Sequence, residues 1–234
     1  DSIAREKEFI SMVETKLADG IINLRPYKEN DSSLPQDGIV AVSASSCENT
    51  PYPSVRIDNI GASKKVVSYL IGLGHKKIGV ISGLHDNPHT IDRFKGYKLA
   101  LEEANIPFDE SLVVEGDFNY WSGLNATEYF ARMEEMPTAV FCMNDEMAIA
   151  ATKGFMDKGY KVPEDISVTG FDDMEVSRYC SPTLTTVAQP AEKIGIKSAE
   201  LLFDLLAGNT PSVTDYILPY EFVIRESSAI PKLK

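Results

Sequence analysis

Short apolar runs separated by amphipathic stretches set the rhythm of this chain. Residues 20–24, 38–43, 77–82, 138–143, 166–171 and 216–225 are rich in β-forming side chains. Most lack polar alternation, as parallel strands covered on both faces do. Residues 184–187 form a further extended run. Helical patterns lie between the strands. Residues 62–73 place Val66, Val67, Leu70 and Ile71 on one stripe, with Gly74 as the stop. Residues 93–105 repeat the design with Phe94, Tyr97, Leu101 and Ala104. Asn144 can cap a helix running to about residue 158, with Met147, Ala151 and Phe155 inward and Gly159 ending it. A last helix over 191–207 turns Ile194, Leu201, Leu202 and Leu205 to a core and closes at Gly208. Strand–helix–strand alternation implies right-handed crossovers and a doubly wound α/β fold.

Three segments suggest crossings between two lobes. Residues 82–90 are polar and turn-rich after a strand, so they form either a binding loop or an interdomain crossing. Residues 185–190 and 209–215 are the second and third candidates. Three crossings between two α/β lobes describe a hinged binder.

Charge narrows the function. The 234 residues carry a net charge of −12, and so acidic a surface repels phosphate backbones, leaving no nucleic-acid footprint. The longest apolar runs, such as 78–81, are far too short for a membrane span. Residues 1–8 are mostly charged, unlike a signal peptide. Cys47, Cys142 and Cys180 are odd in number and scattered, which points to a reducing cytoplasm rather than a disulfide framework. Cys142, inside an apolar run, is expected in the core.

Catalytic and cofactor motifs fail on inspection. Gly72, Gly74 and Gly79 follow the order helix, glycine, strand, opposite to a dinucleotide fingerprint. His85, Asp86 and His89 surround Pro88 without a further ligand cluster and read as a solvated loop. With no P-loop, nucleophile elbow or zinc helix, neither an enzyme, a cofactor nor a metal is expected.

Polar and aromatic residues at strand ends remain: Asp58, Asn87, Arg93, Phe118, Trp121, Asn144, Asp145 and Asp172. Strands bring their ends to one rim, where ligands of open α/β sheets bind. Carboxylates, an amide and a guanidinium can grip a vicinal diol, and aromatic rings can stack on a sugar's apolar face. Each has a plainer reading. Arg93 could be a surface charge, Trp121 a core residue, Asn144 a cap and Asp58 part of a turn. Asp172 and Asp173 could cap the turn after their strand.

Several segments together resemble the lactose-repressor (LacI/GalR-type) family. They include Asp19-Gly20-Ile21-Ile22, Val55-Arg56-Ile57-Asp58-Asn59-Ile60-Gly61 and Leu73-Gly74-His75-Lys76-Lys77-Ile78. Arg93-Phe94-Lys95-Gly96-Tyr97, residues 137–145, 162–190 and 218–228 match in the same order. The resemblance implies an effector-binding core with the type I periplasmic-binding-protein fold. Two Rossmann-like lobes, joined by three crossover strands, close over a small molecule, most often a sugar or sugar derivative. In a homodimer this changes the spacing of DNA-binding heads.

Carried over, Arg93 is similar to the effector-clamping arginine, Asp172 to the effector-binding aspartate and Asn144 to the polar residue before a helix. Asp58 corresponds to the first lobe's aspartate and Phe118 to the aromatic after Gly116-Asp117. Trp121 lies nearby, and Asn87 and His89 occupy a loop that varies with effector. The expected lobes are 1–82 with 188–210, and 83–187 with 211–234. Two departures are expected. The helix-turn-helix head, the route to operator DNA, is absent from this sequence. The first lobe also lacks its first strand–helix–strand, implying either a longer parent chain or a sheet gap filled by something else. Dimerisation is expected through the 62–73 helix. A periplasmic-type sugar-binding protein for transport is the alternative function.

Overall fold

In a computed structural model, residues 3–25, 38–45 and 50–232 are described; Cys47 lies outside them. In chain order the elements are α1 (Ile3–Glu14), β1 (Ile21–Asn23), β2 (Ala41–Ala44), β3 (Ser54–Arg56) and α2 (Asn59–Gly72). There follow β4 (Ile78–Ser82), α3 (Pro88–Glu103), β5 (Val113–Glu115), α4 (Tyr120–Ala131), β6 (Ala139–Cys142) and α5 (Asp145–Asp157). The chain continues with β7 (Ser167–Thr169), β8 (Thr186–Ala188), α6 (Ala191–Leu206), β9 (Asp215–Ile217) and β10 (Glu221–Val223). Among the described residues no helix is long and apolar enough to cross a membrane.

Two compact units emerge, residues 1–58 with 190–219 and residues 59–189 with 220–234. The chain therefore passes between them three times. In the first unit a parallel sheet runs β1-β2-β3-β9, with α6 packed on it. Arg56 locks its far edge. Nε and Nη2 bond Asp215 at 2.9 and 2.7 Å, joining β3 to β9. Among the described residues the strands of this sheet pair continuously, with β1 at one edge.

A second parallel sheet runs β5-β4-β6-β7 in the other unit. Helix α2 packs on α3, and α4 on α5. Every residue of β4 and β6 is buried, as their unbroken apolar runs require. Cys142 is fully buried in β6, and burial raises its thiol pKa. On α5, Met147, Ala151 and Phe155 are fully buried, and a large apolar side chain so placed contributes about 1.5–3 kcal/mol. Helix stops fall at Gly74, Gly159 and Gly208, all at positive φ.

The expected boundaries change. The first crossing comes after Asp58, not in residues 82–90, which lead from β4 into α3. Strand β4, assigned to the first lobe, bonds to β5 and β6 inside the second unit. Residues 209–215 stay in the first unit, and the third crossing follows Pro219. The single strand expected over 216–225 is two strands. Strand β9 pairs with β3, whereas β10 pairs antiparallel with β8. Pro219 lies between them and offers no backbone donor to a continuous ladder. Helix α4 escaped the pattern because its buried face is mostly small, Gly123, Ala126 and Thr127, with one large residue, Phe130.

Candidate functional site

Strand order in the second unit dictates where a ligand can bind. From β4 the chain runs outward to β5, then returns past β4 to β6. Loops after β4 and β6 consequently diverge, opening a crevice beyond their carboxyl ends.

Arg93 reaches this point from the second turn of α3 and is only 5% exposed. Its Nε donates to Asn59 Oδ1 at 3.0 Å, and Nη1 donates to the Met143 carbonyl oxygen. The guanidinium carbon lies 3.7 Å from the centroid of the Phe171 ring, a cation–π arrangement strengthened by desolvation. The surface-charge reading of Arg93 is thereby excluded.

Beyond β7, Asp172 adopts φ +122°, a region that costs a non-glycine residue about 1–3 kcal/mol. Its backbone N–H donates to Val187 O at 2.8 Å, fixing it beside β8. Oδ1 accepts from Gln189 Nε2 at 2.7 Å and stands 3.6 Å from Arg93 Nη2. The side chain is 31% exposed, which leaves it reachable by a ligand. Burial pushes its carboxyl up to about 6; Arg93 opposes the rise and Asp145 adds to it.

Asp173 serves differently. Its carboxylate accepts from Arg225 Nη2 at 2.5 Å and Arg178 Nη2 at 2.8 Å, and its side chain is 6% exposed. Burial alone would raise its pKa, but the two arginine bonds outweigh burial and hold it below the ordinary value. It braces the turn.

Asn144 caps α5 by accepting from Met147 N–H at 3.0 Å, and its Nδ2 donates to Phe118 O at 2.7 Å. Both ends of the amide are thus engaged, one of them in holding Phe118 at φ +67°. A Cβ at Gly83 would come within 2.2 Å of Cε2 and Cζ of the Phe118 ring, so the ring needs a glycine beneath it. Asn87 is also a cap, accepting from His89 N–H at 2.9 Å. His89 lies one helical turn before Arg93, on the same face.

Trp121 is 68% exposed, not core, and packs edge-on against Tyr120. Asp58 is exposed and belongs to the first unit. It is the next residue, Asn59, that meets Arg93. Asn59, Phe171 and Gln189 were not singled out in sequence. Each adjoins a residue or segment that was, but register alone does not say which neighbour faces the crevice.

Among the described residues no group of three or more His, Cys, Asp or Glu is placed to hold a metal ion. A hollow of about 430 Å³ on another flank of α3, lined by Phe94, Lys98 and Val113, shares no residue with this cluster. What the cluster offers is recognition: a buried guanidinium on an aromatic face, an accessible carboxylate beside it and a nearby phenyl ring.

Comparison with known proteins shows the family of this fold. The periplasmic binding protein-like domain family matches residues 67–228. The HTH-type transcriptional repressor CytR of Escherichia coli K12 is 36% identical over 231 residues, covering 97% of this chain and 68% of that protein. Among solved structures, the transcriptional regulator CelR–cellobiose complex superposes with a TM-score of 0.87 at 32% identity, over 97% of this chain and 71% of that one. A LacI family regulator from Enterococcus faecium with bound ribose gives 0.86 at 27% identity, over 96% of this chain and 85% of that one.

Proposed function

The chain belongs to the LacI family of transcriptional regulators as its effector-binding domain, and from that premise we propose that Arg93 and Asp172 bind a sugar or sugar derivative. The observation that carries this reading is the Arg93 guanidinium, stacked on Phe171 and 3.6 Å from the accessible Asp172 carboxylate. Adjacent sugar hydroxyls can donate to the carboxylate while their lone pairs accept from the guanidinium. Phe118 supplies a face for the ring's C–H surface, and Asn144 holds that phenyl ring in place. His89 contributes to the wall, and Asn87 anchors it. Relatives solved with cellobiose and with ribose support a carbohydrate effector.

In this reading the domain acts in the cytoplasm as a homodimer, and operator DNA is engaged by a helix-turn-helix head outside this sequence. The apolar stripe of α2 is not the dimer contact, because Ala62, Val66, Val67 and Leu70 are already buried. A better candidate lies around the start of α5. There the exposed side chains of Trp121, Met174, Val176 and Tyr179 flank a common anchor. Tyr120 N–H donates to Glu146, and Met174 N–H to Asp145.

A thermal-shift panel of monosaccharides, disaccharides, sugar phosphates and nucleosides tests the effector reading. A ligand at 100 times its dissociation constant adds about 2.7 kcal/mol, so at least one carbohydrate should raise the melting temperature. A panel in which only nucleosides shift it, or nothing does, would overturn the sugar assignment.

A further inference from the structure

One buried carboxylate makes none of the sugar contacts proposed above, yet both flanks of Asp172 depend on it. Asp145, the first residue of α5, is fully buried. Its Oδ2 accepts from Met174 N–H at 2.8 Å and from Ser177 Oγ at 2.6 Å. Its Oδ1 accepts from Thr186 Oγ1 at 2.5 Å. The first two bonds fix the short 3₁₀ turn Glu175–Arg178 that follows the aspartate pair. The third fixes β8, whose Val187 carbonyl receives the Asp172 N–H.

This matters because Asp172 and Asp173 both have positive φ, +122° and +55°. Backbone strain of that kind persists only where the surroundings over-determine it. The chain makes room for the carboxylate at some cost in freedom: a Cβ on Gly170 would lie 2.2 Å from Asp145 Oδ1. A carboxylate suits the place because it accepts on both oxygens and needs no donor. An amide has a single accepting oxygen, so it can receive Met174 and Ser177 or Thr186, but not all three.

We propose that Asp145 is a positioning residue for the effector site, holding the Asp172 turn and β8 in the one arrangement that aims Asp172 at Arg93. The proposal rests on the reading of Asp172 as an effector contact, but its test needs no effector. Hydrogen exchange measured by NMR on wild type and Asp145→Asn reports the backbone directly. Exchange at the Met174 and Asp172 amides should accelerate by about tenfold beyond the change at Val80 in β4, which reports global stability. The signals of the Arg93 guanidinium should also shift as Asp172, which faces its Nη2, loses its aim. Uniform acceleration at all amides, or an unchanged Asp172 amide, would overturn the proposal. Should Asp145→Asn fail to fold, Ser177→Ala removes a single bond. The same local pattern is then expected at about threefold, and its absence is equally decisive. A negative outcome would leave the sugar panel as an independent test of Asp172 itself.

Discussion

Nη2 of Arg93 stands 3.6 Å from Oδ1 of Asp172, joining α3 to the turn after β7. The gap is longer than a hydrogen bond, so the two groups attract each other without a direct bond and a hydroxyl can bridge them from the side. Replacing Arg93 by Met should therefore weaken sugar binding by about 10- to 100-fold, the loss of one charge-assisted bond. It should also cost about 2 kcal/mol of stability by stranding the buried Met143 carbonyl and Asn59 amide oxygen. Calorimetric titration and urea unfolding read the two effects separately.

Protonation of Asp172 should be visible in both affinity and stability. Its carboxyl is raised from 3.8 to about 6, so it is an ionised acceptor above that pH and protonated below it. Sugar affinity should fall by about tenfold between pH 7.5 and pH 5, with the bend near 6, and Asp172→Asn should remove the bend. For stability the sign is the opposite of a salt-bridged carboxylate. Between about pH 4 and 6 the folded state holds a proton that the unfolded chain has released, so this group's contribution declines as pH rises. Asp172→Asn should gain stability relative to wild type on going from pH 4 to pH 7 in urea titrations. A constant difference would show that Asp172 titrates normally.

Neighbouring Asp173 should behave as a brace. Its folded pKa is depressed, so its contribution is present above the ordinary carboxylate range and lost as pH falls through the folded value. Asp173→Ala leaves Arg225, whose side chain is 15% exposed, without its carboxylate. About 3 kcal/mol of destabilisation is expected, against little or none for Asp172→Asn at pH 7. Chemical denaturation of the two variants side by side distinguishes the roles.

Gly83→Ala tests the aromatic wall. The new methyl would collide with the Phe118 ring and with Thr90 Oγ1, 2.5 Å away. The ring can swing aside, so stability should drop by only about 1 kcal/mol. Sugar affinity should fall by about fivefold or more as the stacking face is lost. Unchanged affinity would remove Phe118 from the site.

Much of this architecture was legible in the chain, for identifiable reasons. Gly74, Gly159 and Gly208 ended their helices because a left-handed residue there favours glycine. Asn144 capped α5 because its amide oxygen can reach the third N–H of the helix. Arg93 and Asp172 were both singled out in the sequence, and the structure sets them 3.6 Å apart, whereas nothing in the sequence announced that Asp173 pairs with Arg225 and Arg178. The domain boundaries were not, since β4 is as apolar as any central strand and nothing in it names the sheet it joins. Pro219 was the overlooked signal that 216–225 is two strands. Asn59 and Phe171 escaped because facing is set by packing, not by composition.

The central claim is most directly tested by calorimetric titration, at pH 7.5, of the best-stabilising sugar from the panel into wild type, Arg93→Met and Asp172→Asn. The account predicts one site in the wild type and affinity at least about tenfold weaker in each variant, each losing a charge-assisted contact. Equal affinity in all three proteins would contradict it and move the effector away from Arg93 and Asp172.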